Sequence, residues 1–258
     1  MVMIAFDIAE YVHIKTKTDS TDITVRTDTG FLPCDERNLA FQAAKKLQQL
    51  FRKNEGVEIT IDKNIPVSAG MGGGSSEAAA GWRGVTKRCN RRLDTSQLAK
   101  IGLEIDSDVP FCIYSEPALV TGKGEIITPI GDLEPMCLVI AKPHDSVSTP
   151  SILKKIDYSK IVHQNVDGVL DAISKRDYTE MTKKMGNALE PITAKRHPDI
   201  WKIKQKMLNF GCDAAQMSGS GPTVFGVCRK YQRAVRVYNG LRGFCNEVYI
   251  VRPFSLKE

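Results

Sequence analysis

Long apolar runs are missing from this chain. No stretch approaches ~20 uninterrupted apolar residues, so a membrane-spanning helix is not expected. The first residues, Met1-Val2-Met3-Ile4-Ala5-Phe6-Asp7, lack the basic start and cleavage site of a signal peptide, and the expected location is the cytoplasm. Aromatic residues are few, at 7%, which argues against a basic groove interleaved with stacking rings and so against a nucleic-acid partner. No two of Cys34, Cys89, Cys112, Cys137, Cys212, Cys228 and Cys245 lie within five positions of each other, which gives no zinc or redox spacing. Most of them sit in apolar runs and read as small buried hydrophobes. His13, His144, His163 and His197 are isolated in sequence and suggest neither a metal site nor a catalytic base.

What is present is ordinary in bulk. Apolar residues make up 42% and charged residues 26%, the balance of a soluble globular protein, and 258 residues suffice for one large domain or two small ones. Lysine and arginine number 36 against 30 acidic residues, a net +6 that is spread along the chain. Pairs such as Lys45-Lys46 and Lys183-Lys184 read as solvated helix faces, and the excess also suits an anionic small substrate.

Periodicity divides the chain into two α+β halves that meet near residue 133, with domains expected at 1–132 and 133–258. Val57, Ile59 and Ile61 alternate with polar neighbours as in a half-buried strand, and Ile4, Phe6, Ile8, Val12 and Ile14 also read as strands. Leu39, Ala43, Leu47 and Leu50 have helical spacing over 38–52. Glu77-Ala78-Ala79-Ala80 reads as a helix start, and Thr95 as the N-cap of a helix running towards Gly102. Met136–Ala141 is a continuous apolar run fit for a central strand. The spacing predicts a helix that begins at Pro198, repeats Ile200, Ile203 and Met207, and stops at Gly211. Strands are expected on both sides of Ser218–Pro222, and a last one at Val248–Val251.

Three constellations carry chemistry. The stretch Pro66-Val67-Ser68-Ala69-Gly70-Met71-Gly72-Gly73-Gly74-Ser75-Ser76 follows a strand and opens a helix. Its glycines let backbone N–H groups approach an anion, and the helix N-terminus adds free N–H groups and a positive dipole end. Ser75 and Ser76 offer hydroxyls to a phosphate oxygen or to a metal bound to phosphate. It is neither a Walker A loop nor a dinucleotide fingerprint, since it ends in neither Gly-Lys-Ser/Thr nor the final glycine. The alternative is a flexible turn before a capped helix, but a mere turn does not need four glycines. The second constellation, Met217-Ser218-Gly219-Ser220-Gly221-Pro222-Thr223, suits either a hairpin turn or a second glycine-rich loop facing the same ligand. The third, Asp106-Ser107-Asp108-Val109-Pro110, places two carboxylates before a proline. Such a carboxylate either takes a proton from a substrate hydroxyl or simply caps a turn.

Taken together these stretches resemble the GHMP kinases (galactose, homoserine, mevalonate, phosphomevalonate). Pro66–Ala80 is similar to their second motif and Met217–Gly226 to their third. Within the family, the triple glycine with paired serines, Asp108-Val109-Pro110-Phe111, Thr121-Gly122-Lys123-Gly124-Glu125, Val147-Ser148-Thr149-Pro150 and Gly186-Asn187-Ala188-Leu189-Glu190 resemble the branch acting on the cytidine diphosphate form of methylerythritol in non-mevalonate isoprenoid synthesis. The resemblance implies a two-domain α+β fold, with an N-terminal domain like domain 2 of ribosomal protein S5 and a ferredoxin-like C-terminal domain. It implies ATP with Mg²⁺, phosphates on Pro66–Ser76, and Asn38 and Lys63 near the nucleotide base. It makes Asp108 the group that takes the substrate proton, and places Ser218, Gly219, Ser220 and Gly221 near substrate and phosphates. Mevalonate or homoserine is the alternative substrate within the family. The family opens with a motif of the type Ala-Lys-Ile-Asn-Leu, and Met1–Ile14 aligns just after it. The expectation is therefore either a start placed downstream or a truncated, non-catalytic nucleotide-binding remnant.

Overall fold

The computed structural model describes all residues except 31, 52–54, 68, 89–92 and 256–258. The expected phosphate-loop residue Ser68 and the cysteine Cys89 therefore lie outside the described residues. The chain opens with the short strands β1 (Val2–Met3) and β2 (Ala5–Phe6), then β3 (Tyr11–Lys17) and β4 (Ile23–Thr27). Helix α1 (Leu39–Phe51) crosses over to β5 (Gly56–Asp62). β5 is the centre of a three-stranded sheet, antiparallel to β3 and parallel to β4, and the helical crossover is what a parallel neighbour requires. Val57, Ile59 and Ile61 are buried, as their alternation predicts.

Helix α2 (Gly73–Arg88) starts at Gly73, a turn earlier than Glu77, so two glycines and two serines form its first turn. Glycine is a poor helix former, and here packing outweighs propensity. Ala78, Ala79 and Trp82 are fully buried against Ala43 and Leu47 of α1, and Trp82 Nε1 donates to the Ala43 carbonyl at 2.7 Å. Helix α3 (Thr95–Gly102) is capped by Asp94 rather than Thr95. Asp94 and Gln97 form a reciprocal capping box, a better acceptor arrangement than the threonine one position later provides. Helix α4 (Val109–Tyr114) then leads to β6 (Ala118–Thr121) and β7 (Ile126–Pro129), which form a sheet with β1.

The second half begins with β8 (Cys137–Lys142), followed by α5 (Thr149–Leu153), α6 (Val166–Ser174), α7 (Tyr178–Lys184), α8 (Glu190–Ala194) and α9 (Asp199–Phe210). Gly211 ends α9 in the left-handed region, as predicted. The hairpin β9 (Ala214–Met217) and β10 (Val224–Cys228), helix α10 (Tyr231–Arg242) and β11 (Glu247–Val251) complete a four-stranded antiparallel sheet in the order β11-β8-β10-β9, the ferredoxin-like arrangement. The apolar run of β8 lies inside this sheet and serves both faces. Val139 and Ala141 pack in one core with α9 and α10, while Leu138 and Ile140 pack in another with α6, α7 and the N-terminal Ile4, Phe6 and Ile8. β11 is not the final strand, because β12 (Pro253–Phe254) pairs with β2 and ties the two ends of the chain together. Among the described residues no helix is long and apolar enough to cross a membrane.

Candidate active site

The glycine-serine loop runs from the end of β5 into α2, and the β9–β10 turn lies directly against it. Ser218 Oγ donates to the Gly70 carbonyl at 2.8 Å. Gly70 has φ +69°, and a Cβ there would stand 2.8 Å from the Ser218 carbonyl oxygen and 3.0 Å from that of Gly221. No side chain fits between two backbones this close, so the glycine is required by contact as well as by dihedral. The two glycine-rich loops predicted from sequence are thus brought together, across a separation of almost 150 residues.

The β9–β10 turn is itself held from the helical side. Thr149 Oγ1, at the head of α5, is 2.7 Å from Ser220 Oγ, and Thr193 Oγ1 of α8 donates to the Ser220 carbonyl at 3.2 Å. The buried Glu190 accepts the Met217 N–H at 2.8 Å and pairs with Lys204. Asn187, between α7 and α8, donates to the carbonyls of Met217 and Gly219. In sequence these residues are visible only as family-like stretches without a role, because their partners lie up to 71 positions away.

Asp106 and Asp108 take different places. Asp106 Oδ1 accepts from Ser75 Oγ and from the Asp108 N–H, both at 3.0 Å. It therefore ties the first turn of α2 to the start of α4. Asp108 stands at the N-cap position of α4, but its carboxylate makes no capping bond and no other hydrogen bond among the described residues. The half-buried Asp108 is pushed above the ordinary aspartate pKa, first by burial and then by the Asp106 charge. The turn Thr121–Glu125 packs behind this pair. Gly124, at φ +116°, lies so close to Ser107 that a Cβ would overlap the Ser107 carbonyl oxygen. Cys112, one turn into α4, is the side chain nearest Gly72, at 3.9 Å from a Cβ placed there. Its thiol is pushed up to about 12 by burial and by Asp108, so it stays protonated and is a poor nucleophile.

The remaining expected site residues are engaged within the protein. Ser76 Oγ donates to the Gly73 carbonyl at 2.7 Å, so both serines spend their proton locally and keep oxygen lone pairs free. Asn38 is buried; its Oδ1 caps the Ala40 N–H at 2.8 Å and its Nδ2 donates to Pro33. That is an N-cap of α1. Lys63 is buried between Glu10 and Glu77, donating to Glu77 and ion-paired with Glu10. Glu10 is pushed up to about 7, chiefly by burial. Pro66 and Ala69 are buried, and Met71 packs into the core shared by the two halves.

Comparison with known proteins agrees with this arrangement. The signature of the GHMP kinases N terminal domain matches residues 38–116, and that of the GHMP kinases C terminal matches residues 169–247. The chain is 65% identical over 255 residues to a 4-diphosphocytidyl-2-C-methyl-D-erythritol kinase of Ligilactobacillus salivarius, covering 99% of this chain and 88% of that protein. It is 54% identical over 259 residues to the protein of the same name from Lactiplantibacillus plantarum, covering 100% and 90%. Among solved structures, a 4-(cytidine 5'-diphospho)-2C-methyl-D-erythritol kinase superposes with TM-score 0.80 at 24% identity, over 98% of this chain and 90% of that one. A homoserine kinase from Cytophaga hutchinsonii superposes with TM-score 0.84 at 21% identity, over 98% and 89%, which shows a shared fold. The chain therefore belongs to the GHMP kinase family, in its group of 4-diphosphocytidyl-2-C-methyl-D-erythritol kinases.

Proposed function

We propose that the chain transfers the γ-phosphoryl group of ATP to the 2-hydroxyl of 4-diphosphocytidyl-2-C-methyl-D-erythritol. The observation that carries the reading is the uncapped carboxylate of Asp108, linked through Asp106 and Ser75 to the head of the helix that the glycine-serine loop opens. The loop amides and the N-terminus of α2 receive the ATP phosphates. Asp108 takes the proton of the 2-hydroxyl, the hydroxyl oxygen forms the new bond to the γ-phosphorus, and the bond to the bridging oxygen breaks to release ADP. The raised pKa of Asp108 makes it a stronger proton acceptor than an exposed aspartate. Mg²⁺ fits as the partner of ATP rather than as a resident ion. Among the described residues no group of three or more His, Cys, Asp or Glu is placed to hold a metal alone. Asp106 with the Ser75 oxygen is the kind of hard, sparse donor set that would suit Mg²⁺ arriving with the phosphates, where the ion would neutralise charge on them.

The test is ADP release with three alcohols. The cytidine diphosphate form of methylerythritol should support ATP-dependent turnover, and mevalonate and homoserine should not. Preference for mevalonate or homoserine would reassign the chain within the family. Nucleotide binding without turnover on any of the three would reduce it to a binding protein.

A further inference from the structure

Gly186-Asn187-Ala188-Leu189-Glu190 plays no part in the reaction as written, yet Asn187 reaches the β9–β10 turn more completely than any other side chain. Its Nδ2 donates to the Met217 carbonyl and to the Gly219 carbonyl, both at 2.8 Å, which uses both of its protons. Its Oδ1 accepts the Leu189 N–H at 2.8 Å, which fixes the orientation of the amide. Met217 and Gly219 flank Ser218. Ser218 is the residue that donates to Gly70 and whose carbonyl oxygen packs against the Gly70 backbone. The amide thus grips the chain on either side of Ser218, which together with Gly221 packs the turn against the glycine-serine loop. The other ties of the turn lie elsewhere: Glu190 holds the Met217 N–H, Thr193 the Ser220 carbonyl, and Thr149 the Ser220 hydroxyl. They keep the hairpin folded, and the turn's own backbone bonds, Ser218 N–H to the Thr223 carbonyl and Gly221 N–H to the Ser218 carbonyl, both at 2.8 Å, shape Ser218 from within, whereas the Asn187 amide holds both of its neighbours from outside the turn.

We propose that Asn187 is a positioning residue for phosphoryl transfer, acting through Ser218 to set the β9–β10 turn against Gly70 of the glycine-serine loop. This rests on the kinase reading above. In-line transfer tolerates little displacement, and a misplacement of ~1 Å can cost ~10²-fold in rate. The effect belongs to the transition-state geometry, so it falls on kcat more than on KM for ATP.

Asn187→Asp isolates the claim. It keeps an oxygen for the Leu189 N–H and replaces the two protons with an acceptor facing two carbonyl oxygens. In the variant, with folding checked by thermal melting, kcat should fall roughly 10–100-fold while KM for ATP changes by less than about 3-fold. Protonating the new carboxyl returns one donor, and the two carbonyls favour that protonated form. The deficit relative to wild type should therefore narrow as pH falls, which a merely structural defect would not do. Amide hydrogen exchange of the unliganded protein supplies a second readout. Exchange should rise in residues 217–223 and also in 69–73, and stay unchanged in β8. Wild-type kcat in the folded variant, a deficit that does not vary with pH, or faster exchange confined to 217–223 would each overturn the proposal. If the aspartate variant does not fold, Asn187→Ser carries the same kcat, KM and exchange measurements, since its hydroxyl can serve Leu189 but cannot span both carbonyls. Inactivity of the wild type on the cytidine substrate would sink the activity reading alone, and the exchange measurement would still decide the clamp.

Discussion

Asp106 and Asp108 are two positions apart, and the fold separates them by what each carboxylate touches. Asp106 accepts from Ser75 and from the Asp108 amide, whereas the Asp108 carboxylate accepts no hydrogen bond among the described residues. Read without the family resemblance, either one is more commonly a turn aspartate than a proton acceptor. Replacing Asp108 with asparagine should lower turnover by about 10²–10⁴, the usual worth of a positioned proton acceptor, with ATP affinity nearly unchanged. Turnover needs the ionised form, so activity should rise with pH through the raised pKa of Asp108. Asp106→Asn removes the like charge and should move that limb to lower pH, which a kcat/KM profile reads directly. Glu10 allows a stability measurement of the same kind. Its folded pKa is about 7 against an ordinary 4.5, so between those values the folded state holds a proton that the unfolded state has released. Stability must then fall as pH rises across that window. Thermal melts of Glu10→Gln should show a shallower decline there, and parallel curves would contradict the assignment. Asn38 and Lys63 are expected near the nucleotide base from the family resemblance alone; in the fold the asparagine also caps α1 and the lysine sits between two buried carboxylates. Such long-range partners leave no local pattern.

Elements were most legible where periodicity and burial agree. β5, β8, β10 and α9 follow their apolar spacing because each buries one face or two against a core. The errors fall at ends. Gly73 and Gly74 read as loop, yet α2 begins with them because Trp82 and the alanines below drive its packing. Trp82→Ala should destabilise by about 3–5 kcal/mol in urea titrations, the usual cost of emptying a buried aromatic site. The loop before α2 should behave differently. Gly72 has φ +67° and only the Cys112 sulfur, at 3.9 Å, near a Cβ placed there, so Gly72→Val strains the backbone and crowds the cradle without disturbing a core. Calorimetry should find ATP binding weakened roughly 5- to 150-fold, the range set by a strain of about 1–3 kcal/mol. Unchanged affinity in a folded Gly72→Val protein would remove the phosphates from this loop. Gly124→Ala is the matching test at the other side of the site. Its Cβ would push on Ser107, and kcat should fall as the Asp106–Asp108 turn shifts.

At the scale of the molecule, the two α+β halves were readable from strand and helix spacing and the ferredoxin-like second half from the family resemblance, but their union was not. Ile4, Phe6, Ile8 and Met71 from one half share a core with Leu138, Ile140 and Met181 of the other, and β2 pairs with β12 across the whole sequence. Contacts this distant follow from topology rather than from any local signal. We propose that the division between domains falls at 132/133. Limited proteolysis near it should give two fragments that co-elute, held by the shared core, and separation of the fragments would contradict this. The same union seats the β9–β10 turn on the glycine-serine loop, so neither half alone carries all of the proposed site. The central claim is the chemistry of that joint site, and phosphorus NMR tests it most directly. With the chain, ATP, Mg²⁺ and the cytidine diphosphate form of methylerythritol, ADP and one new phosphomonoester at the 2-hydroxyl should appear together, and neither should form with Asp108→Asn. ADP without the phosphomonoester, or full product from the asparagine variant, would contradict the account.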